Sequence, residues 1–127
     1  MDHKEPTIRV TMLPKDTNYH GTIFGGVILS YLDLAAGIQA NQFRPGKWVT
    51  VAMKEVAFIS PVFLGDLVTF YTDVIAQGKT SITIKVQVKA DRIKDGFKTI
   101  ADVTEAIVVY VMVDEHFRPI PFDKNSS

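Results

Sequence analysis

Asp33 is the one carboxylate in "FGGVILSYLDLAAG", residues 24 to 37, a stretch of helical length built almost wholly of apolar and small residues. An unpaired acid among apolar neighbours is costly, so it is either hydrogen-bonded into the architecture or kept for its reactivity. At 3.6 residues per turn, Gly26, Ser30, Asp33 and Gly37 form a narrow small-and-polar stripe between Val27, Ile28, Leu29, Tyr31, Leu32, Leu34, Ala35 and Ile38. No basic residue stands at 29, 30, 36 or 37 to pair with the acid along the helix. On this pattern a catalytic or ligand role and a structural role are both open. Gly25 and Gly26 fall at the expected helix start, where backbone N–H groups lack partners and a ligand oxygen can approach without meeting a side chain. Such donors stabilise negative charge developing on a carbonyl oxygen during acyl transfer. Close helix packing or a bend is the plain alternative for the same pair. Eight residues of helix put Gly25 about 12 Å from Asp33, so one carbonyl cannot easily meet both groups of one helix. A second copy of the chain could supply the acid across an interface.

His20 and Asn18, in "NYHG" just before the helix, are further candidates. The histidine can transfer a proton or simply shape the loop. The asparagine can orient water or a carbonyl through its amide, or serve only as a turn residue. His3, His20 and His116 are scattered without metal-ligand spacing, and the chain has no cysteine. A thiolate nucleophile, a disulfide framework and a sulfur-ligated metal are thereby excluded.

The elements that must position these groups follow from pattern. Residues 25 to 41 hold the only strong long helix. Residues 7 to 13, 47 to 59, 66 to 77, 79 to 93 and 98 to 114 read as extended, separated by turn signals at "SPVFLGD", "QGK" and "KDGFK". Hairpin-like connections imply antiparallel pairing, and no second long helix is present for repeated crossovers, so the fold class is α+β, one helix against one sheet. In "SITIKVQV", Ile82, Ile84, Val86 and Val88 share one face and Ser81, Thr83, Lys85 and Gln87 the other. In "VTEAIVVYVMV" both faces are largely apolar, and one helix covers only one of them. The remaining face argues for a subunit interface.

With 127 residues the chain is expected to form one domain, 46% hydrophobic and 22% charged. Fourteen basic residues balance fourteen acidic ones, which speaks against a nucleic-acid partner or an anionic membrane surface. Locally, Lys79, Lys85, Lys89, Arg92, Lys94 and Lys98 crowd residues 79 to 98, either as an anion-binding face or as a solvated strand surface. No run approaches a membrane span, and the charged start "MDHKEPTIRV" is unlike a signal peptide, so a cytoplasmic location is expected.

"DTNYHGTIFGGVILSYLDLAAG" at 16 to 37, followed by "VTVAMKEVAFISPVFLGDLV" at 49 to 68, resembles the hotdog-fold acyl-coenzyme A thioesterases of the bacterial YciA and cytosolic long-chain acyl-CoA hydrolase type. The similarity runs from about residue 7 to about residue 121, with a polar C-terminal tail beyond, and implies a single hotdog domain over 1–127. The resemblance implies an antiparallel sheet wrapped around one long helix. It further implies homodimers with active sites at the interface and, commonly, a trimer of such dimers. The implied reaction is hydrolysis of acyl-CoA to a free acid and coenzyme A, with coenzyme A part of the substrate and no cofactor required. Asp33 matches the family's general base or nucleophile, Gly25 and Gly26 the helix-start glycines of the oxyanion hole, and Asn18 and His20 look like active-site supports.

Lys54 and Ala57 depart from the family pattern, where an acidic and a polar residue are frequent; substrate contacts and acyl preference are the properties they touch. Lys79, Lys85, Lys89, Arg92, Arg44 and Lys47 are candidates for the coenzyme A phosphates. Two other classes remain on the table. A hotdog hydratase or dehydratase acting on acyl thioesters would need His20 to converge with an acid on the acyl chain. A non-catalytic acyl-CoA-binding module would bind without turnover.

Overall fold

The computed structural model describes residues 5–122. Five strands and one long helix follow in the order β1 (Ile8–Thr11), a 3-10 turn (Pro14–Asp16), α1 (Gly25–Phe43), β2 (Lys47–Phe58), β3 (Leu67–Gln77), β4 (Ser81–Lys94) and β5 (Phe97–Val113). The strands form one sheet in the order β1-β3-β4-β5-β2, with every neighbouring pair antiparallel. The helix lies between β1 and β2 in sequence, and those strands are at opposite edges of the sheet. It therefore carries the chain across the whole sheet while covering one face.

The alternation read from the sequence is what permits this cover. Ile82, Ile84, Val86 and Val88 of β4, with Ala106, Val108, Tyr110 and Met112 of β5, are buried in one cluster with Ile28, Leu32, Ala35, Ala36 and Ala40 of α1. Alanines at 35, 36 and 40 let the helix sit close to the sheet, and each is completely covered. Gln39 adds a polar anchor on this side, its Oε1 accepting the Thr72 hydroxyl of β3 at 2.8 Å. At the far end of the helix, Phe122 packs edge-on against Phe43 and Trp48, with centroids 5.7 and 5.5 Å away, so the described end of the chain folds back onto the domain.

Several expectations shift in detail. The first strand ends at Thr11 because Met12 turns into the core and its N–H donates to the Asp66 carbonyl at 3.0 Å. The helix continues to Phe43, two residues beyond the expected end, and closes with the Arg44 N–H on the Ala40 carbonyl. The helix is not buried all round within one chain, as its composition suggested: Gly26, Ser30, Leu34 and Asn41 are exposed, Leu34 by 56%. One side of the helix, with Leu34 on it, is thus left uncovered by its own sheet.

The "KDGFK" turn is a two-residue hairpin in which Asp95 and Gly96 both have positive φ, 54° and 80°. Asp-Gly suits this geometry, whose backbone twist matches that of the strands it joins. Lysines of the basic stretch on β4 and β5 are partly exposed and face acids. Lys85 lies 4.0 Å from Glu105, Lys89 2.7 Å from Asp102 and Lys98 3.3 Å from Asp91, and Asp102 raises the Lys89 pKa above the usual lysine value. No helix among the described residues is long and apolar enough to cross a membrane. His3 and the polar tail from 123 onward lie outside the described residues.

Candidate active site

Asp33 is half-buried at the middle of α1, on the boundary between the covered and open sides of the helix. Two hydroxyls reach it from the sheet. Tyr110 on β5 donates toward Asp33 Oδ1 at 2.7 Å and toward the Asp33 carbonyl oxygen at 2.5 Å, and Thr50 on β2 donates to the same Oδ1 at 2.8 Å. Thr50 and Tyr110 are register partners across β2 and β5, so the two donors arrive side by side. A bulge follows immediately, between Thr50 and Ala52. Bulges re-aim side chains at sites of this kind.

The acid opens onto a groove of about 620 Å³ that continues along the outer helix face past Leu34, Ile38, Asn41 and Gln42. Its apolar walls with a few amide groups suit an aliphatic chain. No Lys or Arg lines this groove.

At the helix start the geometry is different. The Val27 and Ile28 N–H groups both point to the Phe24 carbonyl, at 3.0 and 3.5 Å, while those of Gly25 and Gly26 have no acceptor among the described residues. A cavity of about 280 Å³ opens beside Gly25, between Ile28, Phe58, Pro61 and Val62. A side chain at Gly26 would meet nothing within 4 Å, whereas one at Gly25 would touch the Phe58 ring at 3.5 Å. Free donors next to a cavity are what an incoming carbonyl oxygen requires.

The segment before the helix is held by Asn18. Its Oδ1 accepts the N–H groups of His20 and Thr22, at 2.9 and 3.2 Å, and its Nδ2 donates to the Thr22 hydroxyl at 2.9 Å. The amide therefore builds the turn that delivers Phe24 to the helix start. His20 is exposed, its ring tilted against Tyr19 with centroids 4.1 Å apart. Neither residue hydrogen-bonds Asp33. Of the five candidates, the fold brings Asn18, His20, Gly25 and Gly26 to one end of α1 and leaves Asp33 two turns away.

The cations named for phosphate binding are largely engaged. Arg92 grips the buried Asp66 at 2.7 Å and also donates to the Pro61 carbonyl, and Lys47 sits 3.6 Å over the Phe117 ring. A cleft of about 500 Å³ is lined by Arg9, Arg92, Lys94 and Lys98, but also by Asp66 and Asp91. Those acids pair with three of the four cations. Lys54 and Ala57 flank the second bulge of β2, where Glu55 takes a positive φ of 53°, and both are exposed. Among the described residues no group of three or more acidic or histidine side chains is placed to hold a metal ion.

Thr50 and Tyr110 were not singled out by sequence reading. Tyr110 falls in the core-facing row of β5, between Val108 and Met112, where a phenol needs a hydrogen-bond partner. A phenol in that largely apolar row was the available signal.

Residues 20–97 match the model of the thioesterase superfamily. The acyl-CoA thioester hydrolase YciA of Salmonella typhimurium is 35% identical over 118 residues, 92% of this chain and 89% of that protein. A hexameric hotdog fold thioesterase of Campylobacter jejuni superposes with a TM-score of 0.92 at 40% identity, over 98% of this chain and 94% of that one. A hexameric thioesterase from Yersinia pestis gives 0.89 at 34% identity, over 98% and 99%.

Proposed function

The chain belongs to the thioesterase superfamily, as a hotdog-fold acyl-CoA thioester hydrolase, and on that premise we propose how it cleaves its substrate. The enzyme hydrolyses the thioester bond of acyl-CoA to a free carboxylic acid and coenzyme A. The chain acts as one hotdog domain, and its active sites lie between two copies of it. In each site the thioester carbonyl rests at the start of α1 of one subunit, where the Gly25 and Gly26 N–H groups polarise it. Asp33 of the facing subunit activates the attack, either by taking the proton from water or by adding to the carbonyl itself. Thiolate is a good leaving group, so no further acid is required. Asn18 and His20 keep the loop in front of the helix in shape for the incoming thioester.

The observation that carries this reading is the division of the machinery within one chain. An acid with an open groove stands mid-helix, while two unpaired donors with their own cavity stand about 12 Å away by the helical rise. A second copy, turned by a twofold axis, unites the two halves. Support for that partner comes from β2, an edge strand of the sheet whose Val51, Val56 and Phe58 are exposed, and from the uncovered Leu34 on the helix. A free apolar strand edge is a ready template for a second chain. Three such dimers complete a hexamer, the state described for the Campylobacter and Yersinia structures.

The test is release of free coenzyme A from acyl-CoA substrates of short to long chain, comparing wild type with Asp33→Asn at equal oligomeric state. Turnover should fall by about three orders of magnitude or more while acyl-CoA still binds. Retained turnover in the variant would sink the assignment of Asp33. Binding without turnover by wild type across the whole panel would point instead to an acyl-CoA-binding module.

A further inference from the structure

Asp33 does not stand loose in its groove, and the way it is held separates its two oxygens. Oδ1 receives both the Tyr110 phenol at 2.7 Å and the Thr50 hydroxyl at 2.8 Å. Oδ2 accepts no hydrogen bond among the described residues. The phenol has a single proton, which it shares between Oδ1 and the Asp33 carbonyl oxygen at 2.5 Å, so it ties the side chain to its own backbone. An aspartate left free would turn about its broad, roughly twofold terminal torsion and present either oxygen. Here two donors on adjacent strands oppose that rotation.

The surroundings keep the clamp in place. Tyr110 is 4% exposed, and its ring is part of the core cluster beneath the helix. It approaches the helix opposite Gly37, where a Cβ would lie 3.4 Å from the phenol oxygen, at the short end of van der Waals contact. The glycine in the small-and-polar stripe thus leaves room for the tyrosine. Burial, followed by the hydrogen bond to Asp33, pushes the phenol well above the ordinary tyrosine range and so keeps it a donor at neutral pH.

We infer that Tyr110 and Thr50 are positioning residues for the thioesterase reaction, which hold Asp33 by Oδ1 and thereby assign the chemical step to Oδ2. The inference rests on Asp33 being the reacting acid, as argued above. Holding a reacting atom in line is worth as much as misplacing it costs, and a displacement of about 1 Å is enough for roughly a hundredfold in rate.

The experiment measures steady-state hydrolysis for Tyr110→Phe, Thr50→Val, Thr50→Ser, Asp33→Asn and the double variant Asp33→Asn/Tyr110→Phe, each at matched oligomeric state and thermal midpoint. Tyr110→Phe and Thr50→Val should each lower kcat by about ten- to a hundredfold with KM within about twofold of wild type. Thr50→Ser, which keeps the hydroxyl, should restore most of kcat. Tyr110→Phe should cost nothing further once Asp33 is Asn, because its effect passes through that side chain. An unchanged kcat in Tyr110→Phe, or a rise in KM alone, overturns the positioning role. So does a Thr50→Ser variant as slow as Thr50→Val, which would indicate packing rather than the hydroxyl. Full activity in Asp33→Asn would instead remove the premise, an outcome read independently of the tyrosine.

Discussion

A carboxylate in an apolar helix has two physical explanations, and the neighbours on other elements decide between them. For Asp33 those neighbours are hydroxyls, not cations, and they restrain one oxygen while the side chain keeps an open side. The same contact makes Tyr110 testable by pH. An unfolded tyrosine ionises near 10.0, and in the folded protein burial and the Asp33 carboxylate hold Tyr110 protonated well beyond that. Above pH 10 the folded state therefore binds the extra proton, and stability falls as pH rises. The stabilisation is complete below the ordinary tyrosine pKa and is lost toward the folded one. Denaturant midpoints taken from pH 8 to 11 should decline more steeply above pH 10 for wild type than for Tyr110→Phe. Parallel curves would contradict the shift.

At the scale of elements, the helix start is only as good as the loop beneath it. Pro61 and Val62 wall the cavity beside Gly25, and their loop is fixed by Asp66, which is 2% exposed. Asp66 accepts the Phe63 N–H at 2.9 Å and the Arg92 guanidinium through both oxygens, at 2.7 to 3.2 Å. In return Asp66 holds the Arg92 pKa above the usual arginine value. Removing one partner of such a pair leaves the other charge covered and unpaired. Asp66→Ala should lower unfolding free energy by about 3 kcal/mol in urea titrations. A change below about 1 kcal/mol would mean that Arg92 finds water and the loop holds without it.

The whole molecule is where the two halves of the site meet, and mixing variants tests this directly. Gly25→Pro suits the first helical position, since the preceding Phe24 has φ −57° and ψ 135°, the conformation favoured before proline. It deletes one of the two donors, and should lower kcat by about a hundredfold. Refolding Asp33→Asn together with Gly25→Pro gives mixed dimers in which one of two sites has an intact acid and intact donors. Activity should recover to about a quarter of wild type if assembly is random. No recovery would place the acid and the donors of each site in a single chain.

Fold class was legible in the sequence because helix and strand periods are local properties. The even-numbered residues of β4 announced which face would be buried, and "KDGFK" announced its own hairpin. Asp33, Gly25 and Gly26 were legible as candidates because an acid in an apolar helix and glycines at a helix start are unusual in composition alone. The partners of Asp33 were not. Thr50 and Tyr110 lie 17 and 77 residues from it in the chain. They meet it only because an antiparallel register sets β2 beside β5 and the helix crosses both. Likewise, the charge of residues 79 to 98 read as a possible anion site until strand pairing set acids opposite the lysines. Contacts between distant segments depend on register and packing, which no local pattern encodes, and there the tertiary structure alone decided.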